Sequence, residues 1–347
     1  MPDRVIYDYV LPYNDKYAVI IIYLKTYGLS YCEYGDNVHY VNYICNNDDV
    51  ITLHTGTNIT IIDNNDYIEQ LKYHISAYVL SMKMLGRYHD IITRVSFCNI
   101  NNYGDIFNIY MVKQYNNRNI VTSQKFDVLN YVMVGSLLRK PYVNKYAIIC
   151  GAGIIDKRAT FTKPFKTLFV RGPRTRQRFI ELGYECPEVY GDPALCISLY
   201  HTKPIEQTNM IGIIPHYVDY NAIVEKYNDY NIINFAINHN MIEQTTDMIR
   251  KCKIIISSSL HGIIVCHAYG IPVIWVNSLK GIAGDSIKFI DYTESVGLYD
   301  MQSYNIDDIM KLSYDEMMNI YQKHIPDRKL ITNIQQNINN IMMNMLS

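Results

Sequence analysis

Residues 253–276 of this chain, KIIISSSLHGIIVCHAYGIPVIWV, constrain the fold more than any other segment, because they read in order as strand, polar turn, helix and strand. The apolar run Ile254, Ile255, Ile256 ends in three serines. Apolar residues resume at Leu260 with helical spacing, and Gly270 stops the helix before Pro272 and a second apolar run. Ser257, Ser258 and His261 therefore stand at a helix N-terminus, with His261 the only basic side chain of the turn. Free backbone N–H groups and the positive end of the helix dipole favour a phosphate or carboxylate there. The same residues also suit a structural part: serine is a preferred N-cap, and a histidine at a helix start commonly hydrogen-bonds its own scaffold.

From Arg94 onward strands and helices alternate, which favours parallel βαβ units with sites at the carboxyl ends of the strands. A strand at 95–100 leads into NNYGD (101–105), where Gly104 permits a tight turn and Asp105 can cap a helix running through Ile109 and Tyr110. Strands at 131–138 and 146–155 break at glycines, which let a ligand or another backbone approach. A strand at 167–170 ends in RGPRTRQRFIELG. Pro173 suits the first helical turn, Phe179, Ile180 and Leu182 form the buried stripe, and Gly183 closes the helix. Arg171, Arg174 and Arg176 thus cluster at a helix start, while Arg178 lies on a solvated face further along.

After a Thr-Lys-Pro linker near 202–204, a second alternating set begins with MIGIIPHYVD (210–219). A helix to about 227, a strand at 231–237 and a helix at 245–252 follow, and the set ends in the opening segment. The expected architecture is α/β, with two Rossmann-like lobes at 95–204 and 205–320 facing a cleft. The tail, 321–347, reads as a helix with Ile331, Ile334, Ile338, Ile341 and Met345 on one face, packing across a lobe. Residues 1–94 form an N-terminal α+β extension, with strands at 17–24, 38–44 and 58–62 and a helix at 67–85; no motif assigns it a role.

Composition narrows the function classes. At 49% hydrophobic and 19% charged residues the chain is globular, and its 347 residues exceed a usual single core. A formal charge of −1 leaves no electrostatic footprint for nucleic acid or an anionic membrane, so any basic site must be local. Eight scattered cysteines without C-x-x-C spacing read as buried thiols in a reducing compartment. The N-terminus lacks a signal-peptide core and no apolar run spans a membrane, so a soluble, cytoplasmic protein is expected. No carboxylate or histidine cluster has metal-ligand spacing. Metal dependence stays open, because a Mg²⁺ ion held by a substrate phosphate leaves little trace in a sequence.

Taken together and in order, NNYGD, VGSLL, GAGII, VRGPRTR, YGDPAL, IGIIPHYVD, SSSLHGIIVCHAYGIPVIW and KFIDYTESVG (288–297) resemble the polysaccharide pyruvyl transferase family, and within it the exopolysaccharide ketal-pyruvate transferases. The resemblance covers roughly residues 95–300. It implies a glycosyltransferase-B-like fold and transfer of pyruvate from phosphoenolpyruvate to two hydroxyls of one sugar, forming a cyclic ketal. It brings no obligatory cofactor, and the acceptor is a glycan or lipid-linked saccharide.

The donor's adjacent carboxylate and phosphate call for guanidinium groups or helix N-termini. Arg171, Arg174, Ser257, Ser258 and Lys288 are the donor-binding candidates. Protonating the donor's methylene carbon and activating a hydroxyl need a general acid/base, for which His261 is the first candidate, with phosphate contact as its other role. His216 is the second; a strand-end histidine bonded to Asp219 explains it equally well. Asp105 and Asp192 suit turns and caps, or orient an acceptor hydroxyl; Asp291 and Tyr292 are the other acceptor-side candidates, or hold their segment against the lobe. Ser259 departs from the wider family, much of which has a donor-binding arginine there, so the cation must come from Arg171, Arg174 or Lys288. A sugar-nucleotide glycosyltransferase of the same plan and a non-catalytic glycan-binding member are the rival readings.

Overall fold

The computed structural model describes residues 41–42, 51–55, 58–62, 92–98, 100–115, 119–122, 130–281 and 283–346. The chain divides into two compact units: residues 1–94 with 118–121 and 126–130, and residues 95–117 with 122–125 and 131–347. In the first unit β1 (Val41–Asn42), β2 (Ile51–Thr55) and β3 (Asn58–Ile62) form an antiparallel sheet in that order. β2 and β3 pair from Ile51↔Ile62 to Thr55↔Asn58. The strand expected at 17–24 and the helix expected at 67–85 lie outside the described residues.

After β4 (Ile92–Ser96) comes α1 (Tyr103–Lys113), and then, in place of the expected alternation, four strands with no helix between them among the described residues, β5 (Asn119–Thr122), β6 (Asn130–Val132), β7 (Ala147–Cys150) and β8 (Lys166–Phe169), followed by α2 (Pro173–Glu181) and α3 (Ile197–Tyr200). The second set is β9 (Asn209–Ile214), α4 (Tyr220–Lys226), β10 (Asn231–Ile232), α5 (Ile242–Arg250), β11 (Cys252–Ser257), α6 (Leu260–Tyr269) and β12 (Val273–Trp275). Four helices end the chain: α7 (Ile287–Ser295), α8 (Ile306–Ile309), α9 (Tyr314–Gln322) and α10 (Arg328–Leu346).

Within the larger unit there are two sheets. One runs β5-β4-β6-β7-β8, with β4 parallel to β6 at Val95↔Tyr131 and β7 parallel to β8 at Ile148↔Lys166. The other runs β10-β9-β11-β12 and is parallel throughout. β11 lies between two neighbours, which accounts for its unbroken Ile254, Ile255, Ile256 run: a strand covered on both faces has no solvent side to alternate with. Gly270 ends α6 in the left-handed region (φ 72), and Ile271 N donates to Cys266 O at 2.9 Å.

Several expected strands are shorter than their apolar runs. β6 stops at Val132 and β7 at Cys150, so Gly135, Ser136 and residues 151–155 become loops at carboxyl ends. The run is apolar because these loops are buried too, among them Val134, Leu137 and Ile154. In α10 the buried residues are Ile331, Ile334, Gln335, Ile338, Met342 and Leu346, whereas Ile341 and Met345, expected on the same face, are half-buried. The stripe follows the 3.6-residue period more closely than the apolar letters do. α10 seats Ile334 and Ile338 where Gly191 has no side chain; a Cβ there would lie 2.5 Å from Ile334 Cγ2.

The carboxyl ends of the two sheets touch. Tyr103 N donates to Phe235 O at 2.9 Å, the Tyr103 ring stacks on Phe235 at 4.6 Å, and its hydroxyl meets Thr246 Oγ1 at 2.7 Å. Lys157 N donates to Asp285 Oδ2 at 3.1 Å. Among the described residues no helix is long and apolar enough to cross a membrane.

Candidate active site

Where the carboxyl ends meet, α6 presents His261 to the start of α1. A Cβ on Gly104 would lie 2.0 Å from His261 Nδ1, so only glycine lets the turn close on the imidazole. On its other edge, His261 Nε2 is buried without a hydrogen bond, 3.9 Å from Asp192 Oδ2, itself buried and unpartnered. The imidazole side chain keeps 12% exposure, none of it at Nε2. Gly104→Ala should lower turnover by at least about tenfold, with a stability loss of about 1–3 kcal/mol typical of overpacking. Wild-type steady-state rates from this variant would show that the closed contact plays no part in the reaction.

Arg171, delivered by the turn after β8, is wholly buried. Its Nε donates to Asp291 Oδ2 at 3.0 Å, one terminal nitrogen to Ser136 Oγ at 2.9 Å and the other to Ile154 O at 2.7 Å. Asp291 also accepts from Thr175 N at 2.8 Å and Thr175 Oγ1 at 2.7 Å. Gly153 and Gly172 make room for this lock: a Cβ on Gly153 would meet the Arg171 guanidinium carbon at 2.2 Å, and one on Gly172 the Asp291 carbonyl oxygen at 1.8 Å. The guanidinium is a fixed positive charge behind the site. Arg174, by contrast, is turned to solvent in a bidentate pair with Glu294.

Lys288, at the start of α7, is the second cation, and burial together with the Arg171 charge pushes its ammonium down to about 8. Burial, then Arg171 and Lys288, holds His261 at about 3; burial and then Lys288 hold His216 at about 4. Both imidazoles are neutral at neutral pH. His216 N donates to Ser258 Oγ at 2.8 Å and its Nδ1 is buried without a partner. Asp219 bonds His216 only through the backbone, its N donating to His216 O at 2.8 Å; its carboxylate accepts instead from Ser278 Oγ, Leu279 N and Lys280 N. Burial raises both Asp105 and Asp192 to about 6. Asp105 accepts from Asn102 Nδ2 at 2.7 Å, and Asp192 Oδ1 from Ala194 N at 3.0 Å.

The structure therefore brings His261, His216, Arg171, Lys288, Asp105 and Asp192 into one electrostatic cluster. Ser257 and Ser258 are buried beside it, Ser257 Oγ accepting from Ser259 N at 3.0 Å and donating back to its carbonyl or to Ile214 O. Asp291 and Tyr292 stand inside the fold, Tyr292 with its hydroxyl 3.0 Å from His267 Nδ1. Sequence reasoning missed Ser136, Thr175 and Asn108. Asn108 joins α1 to the loop after β6 by donating to Val134 O and accepting from Val134 N. Their signal was faint, since small polar residues near strand ends are common everywhere. Among the described residues no three or more His, Cys, Asp or Glu side chains form a group that could hold a metal ion.

Buried neutral histidines set an acid limit. His216, His261 and His267, the last held at about 3 by burial and then Arg328, have folded values below the ordinary 6.5. Unfolding then takes up protons, so their stabilisation is present above pH about 6.5 and is lost as pH falls towards 3. The raised carboxyls of Asp105 and Asp192 act in the opposite direction between about 6 and 3.8, offsetting only part. Denaturant titrations across this range should show stability falling with acid, less steeply in His267→Gln; an unchanged slope in that variant would contradict the assignment.

The comparisons with known proteins fall on this region. The sequence model of the polysaccharide pyruvyl transferase family matches residues 94–280, from β4 through the loop after β12. An uncharacterized protein of Acanthamoeba polyphaga mimivirus is 30% identical over 209 residues, spanning 57% of this chain and 71% of that protein. A crystal structure of a functionally uncharacterized protein from Klebsiella pneumoniae subsp. pneumoniae NTUH-K2044 is similar with a TM-score of 0.40 and 13% identity, covering 63% of this chain and 93% of that one. The family match spans both parallel sheets and the turns that carry Arg171, Asp192, His216 and His261, and by it this chain belongs to the polysaccharide pyruvyl transferase family.

Proposed function

We propose that this protein transfers pyruvate from phosphoenolpyruvate to two hydroxyls of one sugar, making a cyclic ketal, as in the exopolysaccharide ketal-pyruvate branch, and that its two sheets act as glycosyltransferase-B-like lobes. The observation that carries this reading is the pairing of a neutral His261 at a helix N-terminus with two cations, the buried Arg171 and the half-buried Lys288. A small dianion entering there gains from both charges and from the free amides of α6. Lys288 takes the part of the cation that Ser259 does not provide.

Adjoining Ser258, a cavity of about 340 Å³ is lined by uncharged groups, including Trp275, Asn277, Ser278, Ser286 and Phe289. Hydroxyl and amide groups against an aromatic wall suit a neutral sugar ring, and we place the acceptor there. His216, with its free Nδ1, is the base for the attacking hydroxyl. Of the two acceptor hydroxyl protons, one ends on the donor carbon that becomes a methyl group and the other leaves with phosphate.

Incubation with phosphoenolpyruvate and a hexose-containing saccharide should release phosphate and give a product one pyruvate ketal heavier. Release of a nucleoside diphosphate from a sugar nucleotide, with no phosphate from phosphoenolpyruvate, would establish the glycosyltransferase reading instead.

A further inference from the structure

Asp192 and His261 face each other in an arrangement that the donor and acceptor assignments leave unused. Asp192 Oδ2 and His261 Nε2 are both buried, both without a hydrogen bond, and 3.9 Å apart. That gap is too long for a direct bond and shorter than the roughly 4.5 Å that a bridging water with two ordinary hydrogen bonds sets between its partners. Asp192 is wholly buried, so it reaches a substrate only through the imidazole. Its other oxygen is fixed by Ala194 N at 3.0 Å, which leaves Oδ2 aimed at the ring. The edge of His261 that includes Nδ1 packs against Gly104.

We propose that Asp192 and His261 form a proton-holding pair that takes up one proton when the doubly anionic donor binds, Asp192 acting as the positioning residue and His261 as the acid towards the donor. This rests on the donor reading given above. Arg171 and Lys288 act on His261, while Arg171, Asp291, Tyr292 and Cys196 are the charged or titratable neighbours of Asp192. Burial, then the two cations, keeps His261 without its proton at neutral pH. A bound dianion offsets both cations, and an approach of about 1 Å then gives a charge-assisted bond from Nε2–H to the carboxylate.

The protonated imidazole carries its second proton on Nδ1. That proton passes to the donor's methylene carbon, the C=C π pair forming the new C–H bond. The adjacent carbon becomes oxocarbenium-like, stabilised by its ester oxygen. One acceptor hydroxyl oxygen bonds to it and yields its proton, relayed by His216 back to the pair. The bond from that carbon to the phosphate oxygen then breaks, its electrons leaving with phosphate; the second hydroxyl closes the ketal and its proton leaves on phosphate. When products depart, the pair returns its borrowed proton to solvent.

Calorimetric titration with phosphoenolpyruvate at about pH 7.5, in two buffers of different ionisation enthalpy, reads the proton count directly. Wild-type protein should take up about one proton per donor bound, whereas Asp192→Asn and His261→Gln should take up close to none. Asp192→Asn should still bind donor within about threefold, turn over at least about 100-fold more slowly and unfold at a similar temperature. Asp192→Glu should restore part of the uptake. Equal uptake in wild type and Asp192→Asn, or donor binding by wild type without uptake, overturns the pair while leaving the donor reading intact. Absence of donor binding by wild type overturns the donor reading and the pair with it. Should Asp192→Asn fail to fold, wild type against His261→Gln decides the same question.

Discussion

Replacing His261 by alanine is expected to lower turnover by at least about 100-fold while leaving the fold in place, the lower range for loss of a positioned acid/base. Truncation removes an unpartnered imidazole from a cation-rich corner and leaves no buried group newly unpaired, because neither Nε2 nor its neighbour Asp192 Oδ2 is hydrogen-bonded in the first place. Stability should therefore change far less than rate. Single-turnover measurement with saturating donor separates the two, and a rate within a few-fold of wild type would take His261 out of the mechanism.

Arg171→Met is expected to act the other way round, through folding first. The guanidinium and Asp291 are both fully buried and 3.0 Å apart, so removing the cation leaves a carboxylate without its charge partner, supported only by Thr175. Breaking one side of such a pair costs about 3–5 kcal/mol. The double variant Arg171→Met with Asp291→Leu should recover much of that loss, since two apolar residues carry no desolvation penalty. Recovery of stability without recovery of turnover would show that the Arg171 charge serves the site as well as the fold. If the single variant unfolds at the wild-type denaturant midpoint, the pair contributes nothing to stability.

Much of the alternating plan was legible because the relevant signals are local. The apolar run, three serines, helical spacing and Gly270 of residues 253–276 specify β11, α6 and β12 within a residue or two. The helix start at Pro173 and its stop beyond Glu181 follow from Pro and Gly chemistry alone. Strand length was less readable: at 131–138 burial, not extended pairing, made the residues apolar, and hydrophobicity does not distinguish the two. The tail shows the same limit, with Gln335 buried to donate to Leu195 O at 2.7 Å and Ser198 Oγ at 2.9 Å, contacts 140 and 137 residues away in sequence.

Sequence by itself determined which chemistry-bearing groups the chain owns and at which end of each strand they stand, because strand, turn and helix propensities act over a few neighbours. Only the tertiary structure decided what each group does there. It spends the Arg171 guanidinium on Asp291, Ser136 and Ile154, turns Arg174 out to Glu294, and sets Lys288 among the histidines. It also places Asp192 opposite His261. Those outcomes depend on burial and on charges brought together from distant parts of the chain, and both desolvation and Coulomb fields are set by distance in space, which spacing along a sequence does not encode.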